Sequence, residues 1–163
     1  MMDDAPPGYR EVYAKALDAL SRRARSTKEL ERWLAARDLP GEYIRSAIEQ
    51  LAAAGYLNDA EYARSFVRSR AAGRGMSSRR VAAELAHRGV ARDVVQEAIA
   101  EVTRDECLDE RAQAEAAAVK KLRTLARLEP DVRRRRLMGF LARRGFSSEL
   151  VRETVRKLTL ATS

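Results

Sequence analysis

The segments Leu30-Glu31-Arg32-Trp33-Leu34-Ala35-Ala36-Arg37-Asp38-Leu39, Val81-Ala82-Ala83-Glu84-Leu85-Ala86-His87-Arg88-Gly89-Val90 and Leu137-Met138-Gly139-Phe140-Leu141-Ala142-Arg143-Arg144-Gly145-Phe146 carry one pattern three times. Each begins on an aliphatic residue, places a leucine four positions later and ends on another apolar residue. The copies lie 51 and 56 residues apart. The correspondence runs on: Ile44, Ala47, Ile48 and Leu51 match Val95, Ala98, Ile99 and Val102, then Val151, Thr154, Val155 and Leu158. The spacing i, i+3, i+4, i+7 puts each quartet on one helical stripe, the stripe that faces a core. Equivalent stripes at equivalent places define an internal repeat.

Each repeat reads as three helices. In the first, a helix over about 10–24 precedes Ser26, which forms a capping box with Glu29. Asp38-Leu39-Pro40-Gly41 breaks the chain, a helix follows to about Ala54, and Gly55 supplies its left-handed end. In the second, Asn58 caps a helix over about 59–72 with Tyr62 and Phe66 on one face. Gly73 and Gly75 end it, Ser77 opens the next helix, Gly89 closes that one, and the last covers about 92–103. In the third, a helix over about 105–128 has Leu108, Ala112, Val119 and Leu122 as its apolar line and stops at Pro130. Gly145 ends the next helix, and the last covers about 147–159. The expected fold is all-α: three tandem three-helix, helix-turn-helix-like repeats. They span residues 1–57, with a short flexible N-terminus, then 58–104 and 105–163. Units this small bury little alone. Stacking them adds core and predicts an elongated molecule that can curve.

Composition agrees. Hydrophobic residues make 45% of the 163, enough for a core, while 8 Gly and 4 Pro are too few for a loop-rich or β chain. No apolar run nears the ~20 residues that cross a bilayer. The first residues, Met1-Met2-Asp3-Asp4, lack a basic segment followed by an apolar one, so no secretory signal is expected. The one cysteine, Cys107, has no internal disulfide partner, which fits a reducing cytoplasm. One histidine, His87, and one cysteine do not make a four-ligand zinc site; no metal and no cofactor are expected.

The net charge of +8 is uneven. Arg64–Arg92 holds eight arginines and one acid, Glu84; Lys120–Arg144 holds ten Lys or Arg and two acids, Glu129 and Asp131. Such clusters are the footprint of a protein that meets polyanions. Arginine predominates, and arginine suits bidentate phosphate contacts.

Gly55-Tyr56-Leu57-Asn58-Asp59, Tyr62-Ala63-Arg64-Ser65-Phe66-Val67-Arg68-Ser69-Arg70, Gly75, Arg80-Val81, Glu84-Leu85 and Arg88-Gly89-Val90 resemble the central signature of the RecX regulatory proteins of bacteria. Ala16-Leu17, Leu20-Ser21-Arg22-Arg23 and Arg25-Ser26 resemble that family's first repeat. The resemblance is specific over about 14–102; beyond 105 mainly the helical pattern carries it. It implies a non-enzymatic modulator of RecA recombinase, in DNA recombination, repair and the SOS response. Such a protein binds the RecA–DNA filament in its groove or at its end. It suppresses ATP hydrolysis, strand exchange and coprotease activity. The implied partners are the RecA filament and, weakly and without sequence preference, single- or double-stranded DNA; a monomer is expected.

The contact candidates are arginines. Arg64 and Arg68 lie one turn apart on the face away from Tyr62 and Phe66; the plainer reading pairs them with Glu61. Arg70, Arg74, Arg79 and Arg80 surround a glycine-containing turn suited to phosphates, although Glu84 lies one turn from both Arg80 and Arg88 and offsets part of that charge. Arg133, Arg134, Arg135 and Arg136 form the densest run, of which at most two share a helix face. Tyr56, Tyr62 and Trp33 read as core, His87 as surface and Cys107 as inert.

Two other readings compete. A basic DNA-binding protein without a RecA role shares the same charge footprint and stays open, whereas a helix-turn-helix regulator needs a cationic reading helix, for which only the last helix of repeat three, with Arg152, Glu153, Arg156 and Lys157, is suited. The last helices of repeats one and two instead present Glu42, Glu49, Asp93, Glu97 and Glu101. An enzyme needs a phosphate loop, paired ligands or a nucleophile–base pair, and no such motif occurs in the sequence. The alignment makes its own prediction. Ile48→Asp or Ile99→Asp puts a carboxylate into a core and lowers the melting temperature sharply. A thermal melt matching the parent's shows the repeats to be misaligned.

Overall fold

A computed structural model describes residues 6–160. Among the described residues are nine α-helices, one π-helical turn and no strand. The first three helices are α1 (Pro7–Arg22), α2 (Thr27–Ala35) and α3 (Gly41–Ala53). Next come α4 (Asp59–Val67), running into the π turn Arg68–Ala72, then α5 (Ser78–His87) and α6 (Arg92–Asp105). The last three are α7 (Glu110–Leu125), α8 (Pro130–Arg143) and α9 (Ser148–Leu160). Residues 1–5, on which most of the expected N-terminal flexibility falls, lie outside the described residues; α1 already begins at Pro7. The chain forms two compact units. One runs to Ala63 and includes Leu85–Val95; the other comprises Arg64–Glu84 and the chain from Gln96 onward.

In the first unit, α1 contributes Val12, Ala16 and Ala19, α2 contributes Leu30 and Leu34, and α3 contributes Ile44, Ala47 and Leu51 to one core. Proline at the first helical position starts α1, where its missing N–H costs nothing. The capping box starts α2: Ser26 Oγ accepts the Glu29 N–H at 3.1 Å, and Glu29 accepts the Ser26 N–H at 3.3 Å. Gly55, at φ 79°, turns the chain at the end of α3, and the Tyr56 N–H reaches back to the Leu51 carbonyl at 2.9 Å. That corner throws Tyr56 outward, 61% exposed, and gives the buried place to Leu57. The expectation of a core Tyr56 is therefore corrected. Trp33 packs partly on this core, with the Arg37 and Arg25 guanidinium groups 3.3 and 5.2 Å from its ring centroid.

In the second unit, Ala114, Ala117, Ala118 and Leu125 of α7 meet Leu137 and Leu141 of α8 and Val151 and Val155 of α9, with Phe146 between. This corrects the expected apolar line of α7. Of that line only Leu122 packs on the core, while Ala112 is exposed and Val119 is 40% exposed. The buried stripe is made of small residues, which let the neighbouring helices approach. The start of α7 also moves. Cys107 adopts φ 48°, the Leu108 N–H bonds the Thr103 carbonyl, and the Asp109 carboxylate caps the N–H groups of Arg111 and Ala112. Pro130 opens α8 rather than stopping α7. The expected helix over 59–72 widens after Val67: the Gly73 N–H bonds Arg68, five residues back, at 3.2 Å.

The repeat itself holds. Leu30, Leu34, Val81, Leu85, Leu137 and Leu141 all have zero exposure. Of the three quartets, Ile48, Ile99 and Leu158 are half-buried and the other nine residues are buried. The corner after the second helix of each repeat is left-handed, at Asp38 (φ 55°), Gly89 (81°) and Gly145 (90°). Two of these corners press on the preceding repeat. A Cβ on Gly89 would lie 2.5 Å from Lys28 Cβ, and one on Gly145 would lie 2.5 Å from Arg80 Cβ and from Ser77 Oγ. Gly89→Ala should therefore cost about 2 kcal/mol, from left-handed strain and the overlap with Lys28. Gly41→Ala, where nothing lies within 4 Å, should cost none. Urea melts of the two variants check this, and equal stability would refute the close fit.

Candidate functional site

Around Gly89 the joint between the first two repeats is polar. Ser26, which caps α2, donates its hydroxyl to the Arg88 carbonyl at 2.6 Å. Arg32 donates to the His87 carbonyl at 3.2 Å. Asp59, the first residue of α4, accepts the Thr27 N–H at 2.8 Å and the Thr27 hydroxyl at 3.2 Å. Glu29 sits at the centre. It accepts from Tyr62 Oη at 2.9 Å and from Arg88 at 2.7 Å, with Arg23 at 3.6 Å. Burial alone would raise the Glu29 pKa. Hydrogen bonds from Tyr62 and Ser26 and the charges of Arg88 and Arg23 outweigh it and hold the carboxyl below its ordinary range. Burial, and then the bond to Glu29, raise the Tyr62 phenol.

The residues of the family signature therefore have identifiable places. Gly55 and Gly89 turn corners, Gly75 is left-handed at φ 58°, and Ala63 and Leu85 are fully buried. Asp59 and Tyr62 hold the joint. Phe66 carries the Arg70 guanidinium 5.0 Å from its ring centroid, and Glu84 accepts from Arg80. Tyr56 alone among them projects well into solvent.

The candidate arginines separate into two sets. Arg64 pairs with Glu101 at 3.4 Å and Arg68 with Glu106 at 3.2 Å. Glu84 takes Arg80 at 3.1 Å and Arg70 at 3.8 Å, while Arg88 turns to Glu29. Arg79 donates to the Gly145 carbonyl at 3.0 Å. These side chains hold the fold together at the same time as they contribute positive field. Arg74 and Arg133–Arg136, by contrast, have no ion pair among the described residues. In the α8 run, Arg133 is half-buried while Arg134, Arg135 and Arg136 are exposed. Sequence reasoning did not single out Lys120, Lys121, Arg143 and Arg144. The hairpin of α7 and α8 joins two chain segments about twenty residues apart, and only their shared run of positive charge signalled it. His87 is exposed, as expected, and Cys107 is exposed. Among the described residues, no three His, Cys, Asp or Glu side chains converge as a metal site would require, and no helix is long and apolar enough to cross a membrane.

The Glu29 geometry fixes a pH dependence. A carboxyl lowered on folding stabilises fully above its unfolded pKa of about 4.3. That contribution fades as pH falls through the lower folded value. Glu29→Gln should cost about 2 kcal/mol at neutral pH, since it leaves Arg88 without its carboxylate. The gap between parent and variant should narrow below about pH 4. Denaturant melts across that range test this; a gap independent of pH would remove Glu29 as the charged centre of the joint.

Comparison with known proteins agrees with this geometry. Family models described as the first, second and third three-helix domains of RecX match residues 13–51, 58–99 and 109–155. A regulatory protein RecX of Thermobifida fusca is 38% identical over 166 aligned residues, covering 94% of this chain and 86% of its own. One from Mycobacterium avium is 40% identical over 151, covering 92% and 86%. The crystal structure of RecX from Lactobacillus salivarius superposes with a TM-score of 0.72 over 94% of this chain and 97% of its own; at 22% identity it speaks for the fold. With all three helical domains matched in order and close relatives aligned along nearly its whole length, the chain belongs to the RecX family of regulatory proteins.

Proposed function

We propose that this protein is a negative regulator of RecA recombinase. It binds the RecA–DNA filament, along the groove or at an end, and inhibits ATP hydrolysis, strand exchange and coprotease activity. It acts as a monomer in the cytoplasm, as a binding module rather than a catalyst. Kinship with the regulatory RecX proteins over the whole repeat supports the reading. The observation that carries it to residues is that the candidates Arg74 and Arg133–Arg136 have no ion pair among the described residues. A filament presents phosphates and acidic side chains to such a surface, and guanidinium groups suit both. Arg64, Arg68, Arg70, Arg79 and Arg80 add to the field from within the fold's own contacts.

The direct test is an ATPase titration on preformed RecA filaments over single-stranded DNA. Substoichiometric protein should slow hydrolysis, because one filament-bound molecule acts on many subunits. Hydrolysis unchanged at equimolar protein defeats the proposal. It would leave a basic DNA-binding protein whose affinity falls steeply with salt.

A further inference from the structure

The second unit holds a cleft of about 460 Å³ between α7, α8 and the turn that follows the π turn. That volume falls within the range of about 300–1,000 Å³ typical of small-molecule sites. Its floor is apolar, with Ala117 buried and the ring of Phe140 half-buried. Four cations, Arg74, Lys120, Lys121 and Arg144, surround this one floor, and none has an ion pair among the described residues. No carboxylate lines the cleft; its neutral polar side chains are Gln113, towards one end of the α7 wall, and Thr124, towards the other.

The walls are fixed by the fold. Gly75, at φ 58°, passes close to α7: a Cβ there would stand 3.5 Å from Ala117 Cβ. The Gly75 carbonyl accepts Arg144 Nη1 at 3.2 Å, and that guanidinium stands 4.5 Å from the Phe140 ring centroid, with Lys121 at 5.6 Å. Two cations are thus held against the ring that forms the floor. Burial, and then the charge of Arg74, disfavour the cationic form of Arg144. A bound polyanion removes that penalty.

The concentration of charge selects the occupant. A nucleic-acid strand spreads one phosphate per nucleotide along its length, so a floor that takes one base meets about two phosphates. A free nucleoside triphosphate gathers its whole charge at one end of one base. Each inner phosphate carries one negative charge and the terminal one about two, which together balance the four cations. The base supplies the flat face that an aromatic ring packs against, and the Gln113 amide offers its edge both a donor and an acceptor. We propose that this cleft binds a free nucleoside triphosphate, its base on the floor beside Phe140 and its phosphates on Arg74, Lys120, Lys121 and Arg144. With no carboxylate on its walls the cleft supplies neither a Mg²⁺ ligand nor a general base, so it holds the nucleotide without cleaving it. The site adds a small-molecule ligand to the regulator and does not depend on how the chain meets recombinase.

The test is a calorimetric titration of the full chain with ATP in EDTA, without recombinase or DNA. ATP should bind at one site per chain, with ADP and AMP each about tenfold weaker than the one before as charge-assisted hydrogen bonds are lost. Excess Mg²⁺ should weaken ATP binding, because it competes with the side chains for the phosphates. Arg74→Gln with Lys120→Gln, both exposed, should weaken ATP roughly tenfold or more. Phe140→Leu should weaken ATP about fivefold and leave inorganic tripolyphosphate unaffected, which separates the base from the phosphate tail. Arg10→Gln with Arg45→Gln, both exposed and in the first unit, should change ATP affinity less than about twofold. A tetrathymidylate, with similar charge spread over four nucleotides, should compete roughly tenfold less well than ATP. No saturable ATP binding in the millimolar range overturns the site, and so does parental affinity in both cleft variants. AMP binding as tightly as ATP, or ATP binding that requires Mg²⁺, overturns it as well. A tetrathymidylate that matches ATP reduces the cleft to one stretch of a strand-binding surface and defeats the proposal. Polyglutamate displacing ATP more effectively than tripolyphosphate defeats it in favour of an acidic polypeptide.

Discussion

Much of this architecture depends on lack of space at two backbone corners. Gly89 and Gly145 turn in the left-handed region and touch side chains of the preceding repeat with no room for a methyl group. A left-handed corner ends one helix and aims the next. Because each corner also presses on an earlier helix start, the geometry within a repeat and the joint to its predecessor are set by the same atom that is missing. At both joints a serine that begins a helix meets the corner. Ser26 donates its hydroxyl to the Arg88 carbonyl, and Ser77 donates its N–H to the Arg144 carbonyl. These bonds satisfy polar groups that a helix end would otherwise leave unpaired.

The periodic part of this design was readable in the chain. Aliphatic residues at fixed spacing announced the stripes, and the Ser26–Glu29 pair announced a helix start that the hydrogen bonds reproduce. Where local signals compete, reading fails. The α7 face is built from alanines, which carry little hydrophobic weight, so the larger Val119 and Leu122 attracted the assignment. Cys107 ends α6 in a left-handed conformation that its side chain does not advertise. The π turn rests on a close approach of Gly73 to the Ser69 carbonyl, a fact of three dimensions.

Charge was legible as a sum and not as a map. Arg64 and Glu101 are 37 residues apart, Arg88 and Glu29 are 59 apart, and no helical spacing links either pair. Folding therefore sorts the arginines: those in the middle repeat largely find acids, while the α8 run Arg133–Arg136 has no ion pair among the described residues. A cluster in sequence is a poor guide to a cluster of available charge, because long-range pairing decides which cations still face a ligand.

The chain has one tryptophan, and Trp33 lies between two guanidinium groups on the first core. Its emission is a reporter confined to one end of the polypeptide. Loosening of α1–α3 would free the indole from its cationic neighbours and shift its spectrum. Melting confined to α7–α9 would pass unseen by that dye while ellipticity fell. Comparing the two optical signals during heating would thus show whether the modules come apart together or one after another.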